Sequence, residues 1–464
     1  MIDLLLAVRN LLRNRRRSFA TFIALAIGTA SILLFGGFRS NIQYSMLTAY
    51  VREGGHLQIQ HRDFFLYGNG NPTAYGIARY EAIVAAVRAD DTLGAKVTAI
   101  TPTLQFGGIA SNFTTDVSRT VVGVGMVAAD LNRMRQWNEF KLPLVSAHFA
   151  LEGAPNDAAI VGTGVARVLQ LCEALNVSDC PKPLGRPPID GEALPQDIAA
   201  LASGSVGRGE TSRPNAPRIE LLASTSGGAP NVVSLEVIRA ERQGFKEFDE
   251  IYLMMQLPQA QRLIYGRSPP MATSIMVQLE RTSHLAAAKA RLQALLDEVA
   301  PGQPLTVLDF RTLNPFFVQT IQMFNAIFGF IFVLIASIVL FTVGNTMSTA
   351  VMERTVEIGT IRAMGLRQRG VQRLFVLEGT LLGVAGAASG AVFAIVVAGF
   401  VNWLGLTWLP PGSGDRLPLL LLVWGETPMI LGTTLGLIAV ATLSAWWPAR
   451  RASRLNIVDA LRHV

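Results

Sequence analysis

The chain has 464 residues, of which 50% are hydrophobic and 16% charged. Its mean hydropathy of +0.37 is too high for an ordinary soluble protein and too low for one embedded throughout, so we expect a membrane part and a soluble part. Lys and Arg outnumber Asp and Glu by 40 to 33, a net charge of +7. The arginines cluster at the ends of apolar runs and no aromatic-basic motif accompanies them, which argues against a nucleic-acid partner.

The first 17 residues predict a basic amphipathic helix on the cytoplasmic membrane surface, because leucines alternate with Arg9, Arg13 and Arg16. Residues 18–38 follow as the first predicted span. A cleaved signal peptide is the alternative, since it also has a basic start and an apolar centre. We favour an uncleaved span, because the run is longer than a usual signal core and FGGFRS lacks a small-x-small cleavage pattern.

Residues 39–315 predict a soluble domain outside the cytoplasm, because no stretch within them is long and apolar enough to cross again. Helix and strand patterns alternate at both ends of this region, and its size exceeds that of a usual domain. We therefore predict an α+β periplasmic domain of two lobes, one built from both ends and a distal one inserted at about 139–270. The predicted strands are 56–61, 97–100, 120–124, 273–279 and 305–310, and the predicted helices 78–88 and 285–299.

The inserted region contains the sequence AIVGTG at residues 159–164, with a helix predicted to run on through Leu171. Its glycines lack the spacing of the phosphate-binding motifs GxGxxG and GxxxxGK[ST], so we interpret them as a strand-to-helix turn. His56 and His61 have neither zinc-ligand nor catalytic spacing, and we expect both at the surface of a strand.

The two cysteines, Cys172 and Cys180, flank LNVSD in the same region. An oxidising compartment favours a disulfide between them, and two thiols without a nearby histidine argue against a metal site. Residues 172–218 are rich in Pro, Gly and Ser, so we expect exposed, poorly ordered loops there.

Three more spans are predicted in the last third of the chain, at residues 318–343, 374–403 and 429–447. A cytoplasmic segment (344–373), an outside loop (404–428) and a cytoplasmic tail (448–464) connect and follow them, since arginine-rich flanks stay on the cytoplasmic side. The third span carries two G-x-x-x-G patterns, which predict close packing against another helix. The alternative is that these glycines occur by chance in an apolar sequence. The glycines are Gly379, Gly383, Gly386 and Gly390.

The segment between the second and third spans carries apolar residues at helical spacing, which predicts a short amphipathic helix along the membrane. An ordinary surface helix would show the same pattern. The sequence R-x-x-E-I-G-x-x-R-A-x-G at Arg354–Gly365, with Glu378 and a glycine-rich span after it, resembles the MacB/FtsX-like ABC-transporter permeases, including the LolC/LolE group. The tail sequence PARRASRLNIVDALR is also similar to the family's ending, although Asn456 and Ile457 stand where the family often has a proline.

This resemblance implies that the segment is a coupling helix, which seats in a groove of a cytoplasmic ATPase subunit. Gly359 and Gly365 would allow close approach and a sharp end, Ile358 and Met364 would supply apolar contact, and Glu357 and Arg362 would form the polar rim that fixes register. The residues expected to dock the ATPase are Arg354, Glu357, Ile358, Gly359, Arg362, Ala363, Met364 and Gly365.

The resemblance further implies an α-helical membrane protein with four transmembrane helices, both termini in the cytoplasm, in a bacterial inner membrane. It implies a permease subunit without enzymatic activity or a cofactor of its own, and no catalytic motif occurs in the sequence. ATP and Mg would bind to an ATPase dimer, and the other expected partners are a second permease copy or a paralogue, a periplasmic or outer-membrane factor, and membrane lipid. The cargo would be a lipoprotein, lipid or other amphiphile; the alternative is an FtsX-like signalling protein that activates a periplasmic partner such as a cell-wall hydrolase.

Overall fold

The structure, a computed structural model, describes residues 2–13, 15–68, 70–144, 148–178, 180, 217–244, 246–408 and 417–455. Most of the predicted Pro-, Gly- and Ser-rich stretch therefore lies outside the described residues, so its predicted lack of order is not addressed. The chain divides into a helical unit (residues 1–45, 316–408 and 417–464) and a mixed α/β unit (residues 46–315).

The helices and strands are as follows. The helices are α1 (Ile2–Arg13), α2 (Arg15–Gly54), α3 (Phe64–Tyr67), α4 (Tyr80–Ala89), α5 (Ala128–Arg135), α6 (Thr163–Val168), α7 (Lys246–Asp249), α8 (Leu257–Tyr265), α9 (Leu285–Val299), α10 (Phe310–Leu313), α11 (Pro315–Glu353), α12 (Thr355–Ala363), α13 (Gln368–Trp403) and α14 (Thr427–Ser453). The strands are β1 (Leu57–His61), β2 (Val97–Asn112), β3 (Val117–Met126), β4 (Ala158–Gly162), β5 (Arg218–Ser224), β6 (Pro230–Glu241), β7 (Tyr252–Gln256), β8 (Ser274–Leu279), β9 (Leu305–Asp309), β10 (Thr407–Trp408) and β11 (Leu417–Pro418).

Four helices of the described residues, α2, α11, α13 and α14, are long and apolar enough to cross a membrane. Each contains one of the four predicted spans and extends beyond it at one end or both, because the helical backbone continues after the apolar run stops. In α2, for example, the helix already begins at Arg15, before the apolar residues. A chain with four such helices is a membrane-embedded protein.

The link between α13 and α14 satisfies backbone groups that no helix pairs. β10 and β11 form a two-stranded ladder, and the side chain of Asn402 both accepts from the Leu421 N–H (2.8 Å) and donates to the Leu421 carbonyl (3.1 Å). Unpaired backbone groups are costly in apolar surroundings, so these bonds stabilise a non-helical turn next to the long helices.

The α/β unit contains a nine-stranded sheet in the order β3-β7-β4-β6-β5-β2-β8-β1-β9, in which β2 also pairs with β3. The strands β2, β3, β7, β4, β6 and β5 therefore close into a ring of six. The first half of β2 pairs with β8, whereas its second half lies between β3 and β5. One apolar cluster belongs to the ring with α6 and α8, and another is formed by α4 and α9 with β1, β8 and β9.

Two predicted boundaries in this unit are wrong. As predicted, residues from both ends of the unit share one apolar cluster. The six-stranded ring, which corresponds to the predicted inserted lobe, does not start near residue 139, because β3 and the second half of β2 precede that position. The cause is the length of β2, whose 16 residues run from one cluster to the other. The helix predicted to reach Leu171 ends at Val168, since Gln170 has a positive φ of 56° that no α-helix continues.

The glycine turn before α6 is filled by a side chain of the protein. The Asp249 carboxylate accepts hydrogen bonds from the backbone N–H groups of Thr163 and Gly164, both at 2.9 Å, and from the Thr163 hydroxyl. These are the donors that a phosphate would need at a helix N-terminus. The turn therefore binds an internal anion.

His56 is fully buried, so the prediction that it lies at the surface is wrong. Its Nδ1 accepts the Leu279 N–H at 3.0 Å, and its Nε2 lies 3.3 Å from the Thr282 hydroxyl, which itself donates to Glu139 at 2.7 Å. Because Nδ1 accepts, Nε2 carries the proton and the ring is neutral. Burial lowers the pKa of His56 to about 3.

The neutral His56 makes the stability of the α/β unit depend on pH. Its pKa is 6.5 in an ordinary environment and about 3 when folded, so its contribution is complete above pH 6.5 and falls as the pH drops towards 3. We expect the free energy of unfolding to fall by about 2 kcal/mol between pH 7 and pH 5 through this residue alone. Denaturant unfolding of the full chain in detergent at both pH values measures this loss.

The variant His56→Gln should show a smaller difference between the two pH values, whereas His148→Gln, which changes an exposed histidine, should keep it. Equal pH dependence in His56→Gln and the unchanged protein would show that His56 is not responsible.

Candidate coupling site between the second and third long helices

α12 is a separate short helix because the backbone breaks on both sides of it. Arg354, between α11 and α12, has φ −109° and ψ 16°, outside the helical region. Gly365 has φ +103°, a conformation that residues with a Cβ rarely adopt. Arg367 is extended and caps α13. The chain therefore leaves the helical conformation at each end of α12; the sharp end was predicted at Gly365, and the break at Arg354 was not predicted.

One face of α12 is buried within the helical unit. Ile358 is only 5% exposed and packs with Val371 and Phe375 of α13 and with Ala449 and Ala452 of α14. Gly359 beside it is also buried. The expectation that Ile358 offers apolar contact to a partner is therefore wrong, because this side chain attaches α12 to α13 and α14.

The opposite face of α12 carries exposed apolar side chains. Val356, Thr360 and Met364 follow one another at intervals of four residues, so they share one side of α12, and Met364 is 75% exposed; Met352, also exposed, precedes them in the last turn of α11. We call these four residues the exposed stripe. Ala363 and Gly365 are exposed beside it.

A buried polar cluster lies where α12 meets α1 and α13. Arg354 Nη1 donates to Glu378 Oε1 at 3.1 Å, and Arg354 Nη2 donates to the Asn10 carbonyl at 3.1 Å. The Asn10 amide donates to the same Glu378 oxygen at 2.6 Å. We call Asn10, Arg354 and Glu378 the polar node. Removing one partner of a buried ion pair costs about 3–5 kcal/mol, because the other charge stays buried.

Two exposed ion pairs lie beside the polar node. Arg13 Nη2 donates to both carboxylate oxygens of Glu357, at 2.9 and 2.8 Å. Arg17 forms a bidentate ion pair with Glu353, in which Nη1 donates to Oε2 at 3.0 Å and Nη2 donates to Oε1. Exposed pairs of this kind contribute about 0–1 kcal/mol each. Glu357, predicted as part of a rim for a partner, is thus paired within the chain. Arg362 donates to the Leu455 carbonyl.

The four glycines of α13 lie at close helix contacts. An added Cβ at Gly383 would lie 2.9 Å from Ala441 Cβ of α14, and one at Gly379 would meet Ala445 still closer. An added Cβ at Gly386 would lie 2.5 Å from Leu25 Cβ of α2, and Gly390 is packed against the Ala26 carbonyl. One glycine pair thus faces α14 and the other faces α2.

The remaining predicted site residues lie elsewhere. Cys172 and Cys180 are joined by a disulfide in the α/β unit, with a Cα–Cα distance of 6.3 Å. Arg450, Arg451 and Arg454 lie at the end of α14, and Arg462 is outside the described residues.

The sequence of α1 predicts a helix on the membrane surface and does not indicate contacts with residues 344–373, which we call the coupling segment. The residue that could have indicated these contacts is Asn10, a polar side chain three residues before Arg13. That spacing places both on one side of α1. This spacing does not identify the partners of Asn10 and Arg13, which lie more than 340 positions away in the sequence.

Comparison with known proteins gives matches over the last third and over wider regions. Residues 327–457 match the FtsX-like permease C-terminal domain. The chain is 27% identical over 255 residues to "Lipoprotein-releasing system transmembrane protein LolC" of Neisseria meningitidis serogroup B, covering 51% of this chain and 57% of that protein. It is 33% identical over 138 residues to "ABC transporter permease YtrF" of Bacillus subtilis, covering 29% of this chain and 32% of that protein.

A third relative is "Macrolide export ATP-binding/permease protein MacB" of Sodalis glossinidius, 31% identical over 138 residues, with 29% of this chain and 19% of that protein covered. The chain thus spans little more than half the length of the first of these relatives and less of the others. Among solved structures, the periplasmic region of MacB from Actinobacillus actinomycetemcomitans matches with a TM-score of 0.32 and 11% identity, covering 57% of this chain and 94% of that one.

The glycine contacts predict a position-dependent effect of an added methyl group. Gly379→Ala should lower the free energy of unfolding of the chain in detergent by about 1–3 kcal/mol, and with it the melting temperature, because the new Cβ would overlap Ala445. Gly399→Ala, on the same helix with open space around it, is the matched control and should leave stability equal or higher. Equal melting temperatures for both variants would contradict close packing at Gly379.

Proposed function

Since this chain carries an FtsX-like permease C-terminal domain in residues 327–457 and is related to MacB and LolC, we propose that it is the transmembrane permease subunit of an ABC transporter. The observation that carries the proposal is the two-sided character of α12, which is buried on one face and apolar but exposed on the other. A helix built in this way can receive a push from a partner and pass it on to the helices that it packs against.

The exposed stripe is the surface proposed to dock the ATPase. Its methionines are flexible apolar side chains, which suit a groove on a moving partner. Ile358 and the polar node supply the opposite attachment, to α13, α14 and α1. Movement of the docked ATPase would thus reach the membrane helices without a pore for cargo in this chain. ATP and Mg would bind to an ATPase dimer, and this subunit would itself catalyse nothing.

The proposed topology places α1, α12 and the end of α14 in the cytoplasm. Arginines concentrate at these three places, at Arg13–Arg17, Arg354–Arg373 and Arg450–Arg454, and basic flanks stay on the cytoplasmic side. With four spans, the α/β unit then lies outside, in the periplasm of a bacterium with an inner membrane.

The proposed cargo is a lipoprotein, lipid or other amphiphile. The relative from Neisseria meningitidis is named for lipoprotein release, and the one from Sodalis glossinidius for macrolide export. Both names refer to molecules with large apolar parts. A second copy of the permease or a paralogue would complete the pair of subunits that an ATPase dimer requires, and a periplasmic or outer-membrane factor would receive the cargo.

Cysteine labelling tests the topology. Phe113→Cys places a thiol at an exposed turn after β2, and Gln368→Cys places one at the exposed start of α13. Because Cys172 and Cys180 are paired, only the new thiol is free. A membrane-impermeant maleimide should label Phe113→Cys in intact spheroplasts and label Gln368→Cys only after lysis. Labelling of Gln368→Cys before lysis would overturn this orientation.

Charge on the exposed stripe tests the docking surface. Met364→Asp and Val356→Asp should each reduce co-purification of the ATPase by ~10-fold or more, because a carboxylate would be buried in an apolar contact. Met364→Leu keeps the apolar volume and is the matched control, which should bind normally. Membrane insertion, measured by membrane fractionation, should not change in any variant. Normal binding by the two Asp variants would place the motor elsewhere.

A further inference from the structure

α1 has contacts with the coupling segment that the proposed docking surface does not use. Asn10 belongs to the polar node, and Arg13 pairs with Glu357 of α12. Ala7 is fully buried, and α1 packs along α13. A helix that only rested on a lipid surface would need none of these polar contacts.

We propose that α1 is a working part of the coupling site, which moves as one body with α12 and passes its movement to α2. This rests on the proposed function only for the source of the movement. The attachment itself is a property of the chain alone and can be tested without an ATPase.

The first support is the position of the polar node at the end of α1. Asn10 lies in the last turn of α1, where backbone carbonyls have no partner within the helix. The Arg354 guanidinium donates to this free carbonyl and to Glu378 at the same time. Arg354 thus joins α1, the start of α12 and α13, and α12 cannot turn away without leaving buried charge unpaired.

The second support is the pair of exposed contacts. Glu357 contacts Arg13 at the end of α1, and Glu353 contacts Arg17 in the first turn of α2. Two ion pairs, side by side, oppose rotation of the coupling segment relative to the start of α2. Since each pair is exposed, they can break and form again during a cycle, whereas the buried node keeps the elements together.

The third support is where α2 leads. α2 begins at Arg15, with only Asn14 between it and the end of α1 at Arg13, and it is one of the four helices that are long and apolar enough to span. A movement of α1 has a very short path to it. The coupling segment would therefore act on all four of these long helices: α11 and α13 through the chain, α14 through Ile358, and α2 through α1.

Hydrogen–deuterium exchange on the purified full chain tests the attachment. Arg13→Glu places two carboxylates together, so amide exchange should rise by roughly 2- to 5-fold in both α1 and α12, the factor expected for an exposed pair. The double variant Arg13→Glu with Glu357→Arg restores opposite charges and should return both helices to the original rate. Arg9→Glu makes the same charge change on α1 away from these contacts and should leave α12 unaffected.

A rise in only one of the two helices, or no recovery in the double variant, would overturn the attachment. A role limited to charge on α1 would not be rescued by a change at Glu357.

The transfer of movement is tested in the complex with the co-purified ATPase. Addition of ATP and Mg should change exchange in α1 in the original protein by ~2-fold or more, and Arg13→Glu should reduce this change while the ATPase stays bound through the exposed stripe. An unreduced nucleotide effect in Arg13→Glu would overturn the transfer. If no ATPase binds the original protein, the proposed function fails, while the result on the chain alone still decides the attachment.

Discussion

The carboxylate of Glu378 fixes how three elements of the helical unit meet. A charge within a helix as apolar as α13 is costly unless it is paired, and its partners must come from neighbouring elements. Arg354 supplies the opposite charge and Asn10 a further hydrogen bond, so α1, the coupling segment and α13 must meet at one place. The arginine that pairs with Glu378 is also the residue at which the helix breaks between α11 and α12.

Around Glu378, the buried contacts are tightly packed and the exposed contacts are loose. Glycines of α13 bring its backbone against α14 and α2, and Ile358 fills the space between α12, α13 and α14. Contacts of this kind are short and leave little freedom. The exposed stripe and the exposed ion pairs lie on the outside of the same segment and cost little to rearrange. A rigid inner face with an adaptable outer face suits the transmission of movement proposed for this segment.

Local sequence patterns predicted what depends on neighbouring residues. The apolar runs located the four long helices, and the predicted helix over residues 285–299 coincides with α9, in which Leu285, Leu292 and Leu295 recur at helical spacing. Burial of His56, the inward direction of Ile358 and the partners of Asn10 were not predicted. Each depends on contacts between distant parts of the chain: Asn10 and Glu378 are 368 positions apart, and the bond from Leu279 to His56 spans 223. The closed ring was missed for the same reason, since β2 meets β5 only after a long stretch without strong strand signals.

The pairing of β1 has a consequence for how the protein is made. Among the described residues, β1 pairs with β8 and β9, with Leu57 opposite Val277 on one side and Asp309 on the other. During synthesis β1 therefore leaves the ribosome long before either partner exists, and its apolar residues stay without a sheet to join. β1 alternates Leu57 and Ile59 with polar residues, and an unpaired strand of this kind can pair with other chains and aggregate. Correct folding of the α/β unit therefore depends on β1 staying free of other strands until β8 and β9 have been made.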